Sequence, residues 1–303
     1  MVNIPGRPRG CITCRKRRKG LLYGAEAQSQ TVLSQARSWH GHAIGEMALV
    51  QQRSPTAHIQ GFAHRLFVNS RIHLTIAACC ARKRTPLAEP AWMMIPWSKS
   101  SKTHKDKLVD IFVEIPGLLE DLDHLKQSPT EQLYRQFMTD YTRIDLELTA
   151  WLQNHAPVQH LDILQVRGYT NPTAEDLAVA QIMSLFWTMS ILAHSAMLLA
   201  VPLDPFSSPL SHLPPHTNPR QYCTFIADIV EVFFQPDAGI FGMQAVPFPV
   251  GMALEYLTST EGYGSDVSKK LAGYLTNRGF GVSIGSFIMS SRKEWMGPRM
   301  ASP

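Results

Sequence analysis

A run of twenty residues without a charged side chain, Ile182–Val201, limits most strongly what this chain can fold into. A helix of that length is long enough to cross a bilayer. However, the run contains several hydroxyl groups and His194, and neither flank carries the Lys or Arg that usually anchors a membrane helix. We therefore predict that residues 177–201 form the buried central helix of a helical domain, without membrane contact. A small membrane protein that spans the bilayer with Ile182–Val201 is the alternative.

Helical periodicity continues before this run. Apolar residues at 108, 111, 112 and 115 predict a helix that Pro116 ends or kinks, and a second helix starts there. Ser128 is the expected N-cap of a third helix of about 25 residues that ends near His155. The same pattern predicts that the second helix has an inward face of four leucines, Leu118, Leu119, Leu122 and Leu125. Its three acids, Glu120, Asp121 and Asp123, are predicted to be exposed.

The pattern after residue 220 is also helical. It predicts further helices over 222–234, 248–257, 266–277 and 287–295. Gly279 is the expected glycine that follows the third of these helices. The predicted fold class is therefore mostly all-α, with a helical domain over residues 92–303.

Composition and charge exclude several classes of protein. A chain of 303 residues that is 45% hydrophobic can bury a core, and five cysteines are too few for a disulfide scaffold. Residues 1–19 are polar and basic, so we expect no secretory signal peptide and an intracellular protein. The charge is strongly asymmetric: +14 over residues 1–105 and −9 over residues 106–303. A basic N-terminal part suits a polyanionic partner, whereas an acidic body does not.

The basic character is densest in the first twenty residues, which we call the arm. Its segment 6–20 carries seven Lys and Arg and no acid, and includes Cys11 and Cys14. Cations of this density bind DNA phosphates, although charge alone predicts a solvated tail or a nuclear import signal equally well. The C-x-x-C spacing places two thiolates within reach of one zinc ion. A redox C-x-x-C normally follows a strand, and here it follows Arg-Pro-Arg-Gly.

The arm resembles the first half of the fungal binuclear zinc cluster, in the pattern Gly10-Cys11-x-x-Cys14-Arg15-x-Arg17-Arg18-Lys19. In that family six cysteines hold two zinc ions, and the basic run after the second cysteine enters the DNA major groove. The resemblance implies that Cys11 and Cys14 are zinc ligands. It also implies DNA contacts from five basic residues, of which the last is the favoured base reader: Arg15, Lys16, Arg17, Arg18 and Lys19.

The sequence departs from the family after Lys19. The third cysteine of the family should follow closely, but the next cysteines here are Cys79 and Cys80, which we interpret as two buried thiols. Residues 1–20 are therefore a partial zinc-cluster arm. We interpret residues 21–91 as a linker that is either disordered or misassigned coding sequence, such as a retained intron; sequencing the transcript tests the second possibility. A second basic cluster, Arg82-Lys83-Arg84, lies within this segment.

The acidic body resembles the C-terminal regulatory region of the same transcription factors. Its matching stretches come in the family's order: Ile115-Pro116-Gly117-Leu118-Leu119, Trp187…Leu192…Ser195, Phe248-Pro249-x-Gly251-x-Ala253-Leu254-x-Tyr256-Leu257 and Gly279…Gly285…Trp295. The resemblance implies a nuclear regulator of genes transcribed by RNA polymerase II. Its implied partners are DNA, a second chain in a homo- or heterodimer, and a small apolar effector. A helical co-regulator that does not bind DNA is the alternative.

Enzyme chemistry is not expected. The sequence contains no G-x-S-x-G, no G-x-x-x-x-G-K-[ST], and no G-x-G-x-x-G after a strand. His194 on the central helix is more typical of a hydrogen-bonded core histidine than of a catalytic base. The expected cofactor is zinc alone, held by Cys11 and Cys14.

Overall fold

The computed structural model describes residues 25–204, 214–262 and 264–276, together with residues 285 and 288, and it describes side chains from residue 38 onward. Within these residues the chain forms α-helices joined by short 3₁₀ turns, and no strand, which confirms the mostly all-α fold class. The helices in chain order are α1 Ala25–Gln52, α2 Gly61–Ala81, α3 Pro90–Met94, α4 His104–Phe112, α5 Ile115–Gln127, α6 Glu131–His155, α7 Val158–Arg167, α8 Ala174–Ala200, α9 Pro219–Ile229, α10 Gly239–Ala245, α11 Pro247–Thr260 and α12 Asp266–Thr276.

Helix α8 is the centre of the fold, as the uncharged run predicts. Thr173 and Asp176 form a reciprocal capping box at its start. The helix packs against α5, α6, α7, α9 and α11. Residues 174–203 are long and apolar enough to cross a membrane, and 72% of their most apolar window is buried inside the protein. Since a helix that is apolar all round needs apolar neighbours, this packing accounts for its composition.

The helices before α8 form largely where the sequence predicts them. Pro116 lies in the first turn of α5, where its missing N–H costs nothing, and the four inward leucines are buried. Helix α6 has 25 residues and ends at His155, as predicted. Its N-cap is Thr130, however, and not Ser128, because the Thr130 hydroxyl accepts the Leu133 N–H at 3.3 Å.

The described part of the predicted linker 21–91, which is residues 25–91, is folded into helices. Within it the chain forms α1, α2 and two 3₁₀ turns, and Phe67, Leu74 and Leu87 are buried in the core. Phe67 and Leu74 are seven residues apart and therefore share one face of α2, which packs against α4 and α5. The pattern is hidden in the sequence because polar residues, including Arg71, lie on the same buried face.

The C-terminal helices α11 and α12 confirm two further predictions. Gly279 and most of the predicted helix over 287–295 lie outside the described residues. Of that stretch, Ile288 is described as buried and helical. It packs beside Gly251, where an added Cβ would lie 3.6 Å from Ile288 Cγ2.

Candidate functional site

The arm residues that the sequence singles out, Cys11, Cys14 and the basic run 15–19, lie outside the described residues. Among the residues that the structure describes, no group of three His, Cys, Asp or Glu side chains is arranged to hold a metal ion. The zinc site and the DNA contacts of the arm therefore stay predictions. The structure does show the contacts and the burial of the other charged and titratable groups that the sequence identified.

The second basic cluster, Arg82-Lys83-Arg84, is paired with the acids of α5. Arg82 is the left-handed C-cap of α2, with φ 51°, and its guanidinium bridges both oxygens of Asp123 at 2.7 and 2.8 Å. In the same row, Lys83 Nζ lies 2.9 Å from Glu120 Oε1, and Arg84 Nη2 lies 2.9 Å from both oxygens of Asp121.

These pairs correct the prediction that the three acids of α5 are exposed. All three are half-buried under the basic cluster. The hydrogen bond from Lys83 and the backbone N–H of Arg84 lower the pKa of Glu120 below its usual value. The basic cluster therefore fastens α2 to α5, and its charge is already compensated within the chain.

A buried cation makes a second link between the N-terminal helices and the body. The Arg71 side chain is 1% exposed, and its Nη2 donates to Asp110 Oδ1 at 2.5 Å. Lys102 contacts the other oxygen of Asp110. The guanidinium carbon of Arg71 lies 4.6 Å from the ring centre of Trp97. The cation–π contact and the shared carboxylate stabilise the charge of Arg71. Burial opposes this charge and lowers the Arg71 pKa.

The sequence analysis did not identify the ion pairs between the N-terminal helices and the body, although the charge asymmetry of the chain was a sign of them. The basic first third and the acidic body contact each other: residues 71–84 supply cations and residues 110–123 supply carboxylates. The partners are 37 to 41 residues apart in the chain. A helical pattern relates residues three or four apart, so it cannot identify such partners.

Two histidines and a carboxylate meet where α6, α8 and α9 converge. We call Tyr141, Asp145, His194, His216 and Tyr222 the histidine cluster. The Tyr141 hydroxyl lies 3.1 Å from His194 Nδ1, and His194 Nε2 lies 3.9 Å from Asp145 Oδ1. His216 Nε2 lies 3.1 Å from the other oxygen of Asp145. The Tyr222 ring stacks on His194, with centres 5.7 Å apart.

His194 is thus the hydrogen-bonded core histidine that the sequence favoured. It is 1% exposed. Burial lowers its pKa to about 4, Asp145 opposes that change, and His216 adds to it. The ring is therefore neutral at pH 7. Burial also raises the pKa of Tyr141 and Tyr222.

The cysteines within the described residues are buried thiols. Cys79, Cys80 and Cys223 are all free and buried. Burial raises the pKa of the Cys223 thiol to about 12 and raises those of Cys79 and Cys80 as well. Because the thiolate is the reactive form of cysteine, burial keeps these three residues in the unreactive thiol form.

A shallow surface groove of about 730 Å³ runs along α6. Its described lining comes from that helix alone: Met138, Thr139, Thr142, Arg143, Leu146, Glu147 and Ala150. Pockets for small molecules usually enclose most of the ligand surface, and one helix forms only one wall. The described lining therefore gives the predicted small apolar effector no enclosed site here.

Comparison of the chain with protein-family models, with curated proteins and with solved structures finds no match. The likeness to the zinc-cluster family therefore depends on the residues quoted above.

Proposed function

We propose that this protein is a nuclear, DNA-binding transcription regulator of the fungal zinc-cluster type whose DNA-binding module is incomplete. The observation that carries the proposal is the pattern Gly10-Cys11-x-x-Cys14-Arg15-x-Arg17-Arg18-Lys19, which joins a metal-binding spacing to an uninterrupted basic run. The helical body acts as its regulatory part and dimerises with a second chain. The protein is not an enzyme.

The distribution of charge supports the arm as the DNA-contacting element. Residues 20–105 carry ten Lys and Arg. Five of these ten contact carboxylates of α4 and α5: Arg71, Arg82, Lys83, Arg84 and Lys102. Cations that are already paired release few counterions on binding DNA, so they add little affinity. The seven cations of the arm are then the main source of attraction for phosphate.

An incomplete cluster changes the kind of binding that we expect. Reading bases requires a helix held firmly in the major groove, and Cys11 and Cys14 supply only two of the six ligands that fix this helix in the family. Phosphate contacts do not need such precise placement. The protein should therefore bind duplex DNA with strong salt dependence and little sequence preference.

A helical co-regulator that does not bind DNA is the second candidate. The absence of further cysteines between Lys19 and Cys79 favours it. Such a protein pairs with a related regulator through its helical body and reaches DNA only through that partner.

DNA binding by the full chain at several salt concentrations separates the two candidates. The variant Arg17→Gln/Arg18→Gln removes two arm charges, and the matched control Arg135→Gln/Lys269→Gln removes two exposed charges of the body. If the arm contacts phosphate, the arm variant lowers the slope of log K against log salt by about 1.8, at about 0.9 per phosphate contact, and the control leaves it unchanged. Equal effects of the two variants refute the arm as the DNA contact, and no binding of DNA by the full chain supports the co-regulator.

Zinc content, measured by elemental analysis with Cys11→Ser as the control, tests the metal site. About one zinc per chain that is lost in the variant supports a site at Cys11 and Cys14. If the purified chain contains no zinc, the arm is a basic segment without a metal site.

A further inference from the structure

We propose that the histidine cluster is an acid-operated latch: it holds the segment 214–218 against α6 at neutral pH and releases it when His194 becomes protonated. This inference concerns the body of the protein and does not depend on how the arm contacts DNA.

The segment is held on both sides through His216. Its imidazole contacts Asp145 of α6 at 3.1 Å, and its backbone carbonyl accepts the Tyr222 hydroxyl of α9 at 2.7 Å. Gln221 Nε2 adds bonds to the carbonyls of Pro215 and His216. The His216 side chain remains 46% exposed, so it can leave the cluster without crossing the core.

His194 lies beneath this contact, and its side chain is 2% exposed. Of the described titratable groups, Tyr141 and Asp145 face it from α6, His216 from the 3₁₀ turn Pro215–Thr217, and Tyr222 from α9. Asp145 is the only carboxylate among these four. It is within hydrogen-bonding distance of His216, but its 3.9 Å separation from His194 Nε2 is too long for a hydrogen bond.

Protonation makes the two histidines compete for that carboxylate. A charged His194 faces the carboxylate that His216 already contacts, and the His216 ring, whose centre lies 5.9 Å away, opposes that charge in a mostly buried space. The exposed ring can leave, whereas the buried ring cannot. Departure of His216 removes the repulsion, admits water to His194 and frees Asp145 to pair with it. Protons therefore stabilise the released arrangement.

The size of the effect follows from the His194 pKa. It is about 4 in the held arrangement, against an ordinary value of about 6.5 once water reaches the ring. The released arrangement binds more protons between these values. Acidification across this window therefore raises the ratio of released to held segment by up to about 300-fold.

Hydroxyl-radical footprinting of the full chain, read by mass spectrometry, tests the latch between pH 7.5 and 4.5. Tyr222 is 7% exposed and its hydroxyl is covered by the segment, while Phe225, on the same helix, is 40% exposed and serves as the internal reference. We expect oxidation of Tyr222 to rise severalfold relative to Phe225 on acidification, while the far-UV circular dichroism stays constant. An unchanged ratio overturns the proposal.

Three variants assign any such change to the cluster. His194→Gln keeps an acceptor for Tyr141 but cannot become charged, so Tyr222 should stay protected at every pH. Asp145→Asn and His216→Ala should expose Tyr222 already at pH 7.5, with no further dependence on pH. The proposal fails if His194→Gln, or His216→Ala where the first variant does not fold, follows the wild-type profile.

Discussion

The substitution Asp110→Asn tests how the N-terminal helices are fastened to the body. Asp110 accepts hydrogen bonds from Arg71 and Lys102, and the Arg71 side chain is 1% exposed. Asparagine keeps the shape and one acceptor oxygen but removes the charge. The buried guanidinium then keeps its cost of burial and loses its hydrogen-bonded carboxylate, and only the electrostatic attraction of Asp106 remains.

The expected cost is large for a single substitution. Breaking a buried pair by removal of one partner costs about 3–5 kcal/mol, because an uncompensated charge remains inside. The pair between Arg84 and the half-buried Asp121 gives a matched comparison, because the Arg84 side chain is 59% exposed and surface pairs contribute only about 0–1 kcal/mol. Asp110→Asn should therefore lower the free energy of unfolding by at least 2 kcal/mol more than Asp121→Asn does.

Urea unfolding followed by circular dichroism measures both variants. A third variant, Arg71→Met/Asp110→Leu, replaces the pair with apolar groups of similar volume. Its stability should return to within about 1 kcal/mol of the wild type, as is found when buried pairs are replaced together. Lys102 can extend to water when its partner is lost. If Asp110→Asn costs no more than Asp121→Asn, Arg71 does not depend on this carboxylate and the reasoning is refuted.

Three further predictions concern stability and thiol chemistry. Burial opposes ionisation of Asp176, yet hydrogen bonds from Arg167, Thr173 and His160 lower its pKa. The carboxylate should therefore stabilise the folded protein above about pH 4, and this stabilisation should be lost as the pH falls further. In urea unfolding, Asp176→Asn should be less stable than the wild type at pH 7, and the two should become alike in acid. A Cβ at Gly242 would lie 2.1 Å from the Phe233 carbonyl oxygen, so Gly242→Ala should lower the free energy of unfolding by about 3 kcal/mol. Gly273 has no atom near its Cβ position, so Gly273→Ala should be neutral or stabilising. Thermal melting compares the two variants. With a thiol reagent at pH 8 in the presence of a zinc chelator, Cys11 and Cys14 should react at once and the other three cysteines only after unfolding; rapid labelling of all five would contradict the burial of Cys79, Cys80 and Cys223.

Much of the helical framework could be predicted from the sequence because it depends on nearby residues. Apolar spacing over residues 108–125 located the break at Pro116 and the inward leucines of α5. The cap of α6 was misplaced by two residues, since Ser128-Pro129 and Thr130 both offer a hydroxyl before a helical run and only the backbone geometry distinguishes them. The fold of residues 25–91 was not predicted, because buried polar residues of α2, among them the cation Arg71, obscure its apolar face.

The same limit applies to the candidate site. The sequence drew attention to His194 and to the pair Cys79-Cys80, and the structure confirms that all three residues are buried. It gave no sign that His194 shares Asp145 with His216, since these residues lie on separate helices and a connecting turn. Nor did it show that the second basic cluster is paired with α5.

By itself, the sequence determined the class of fold and the central place of α8, because hydrophobic periodicity and an uncharged run constrain any chain that must bury them. It also determined where the positive charge is concentrated and which residues resemble a zinc-binding motif. Only the tertiary structure decided which cations of the described residues are paired with carboxylates of the chain itself. Arg71, Arg82 and Arg84 are 37 to 41 residues from their carboxylates, and an ion pair across that distance in sequence exists only once the helices have packed.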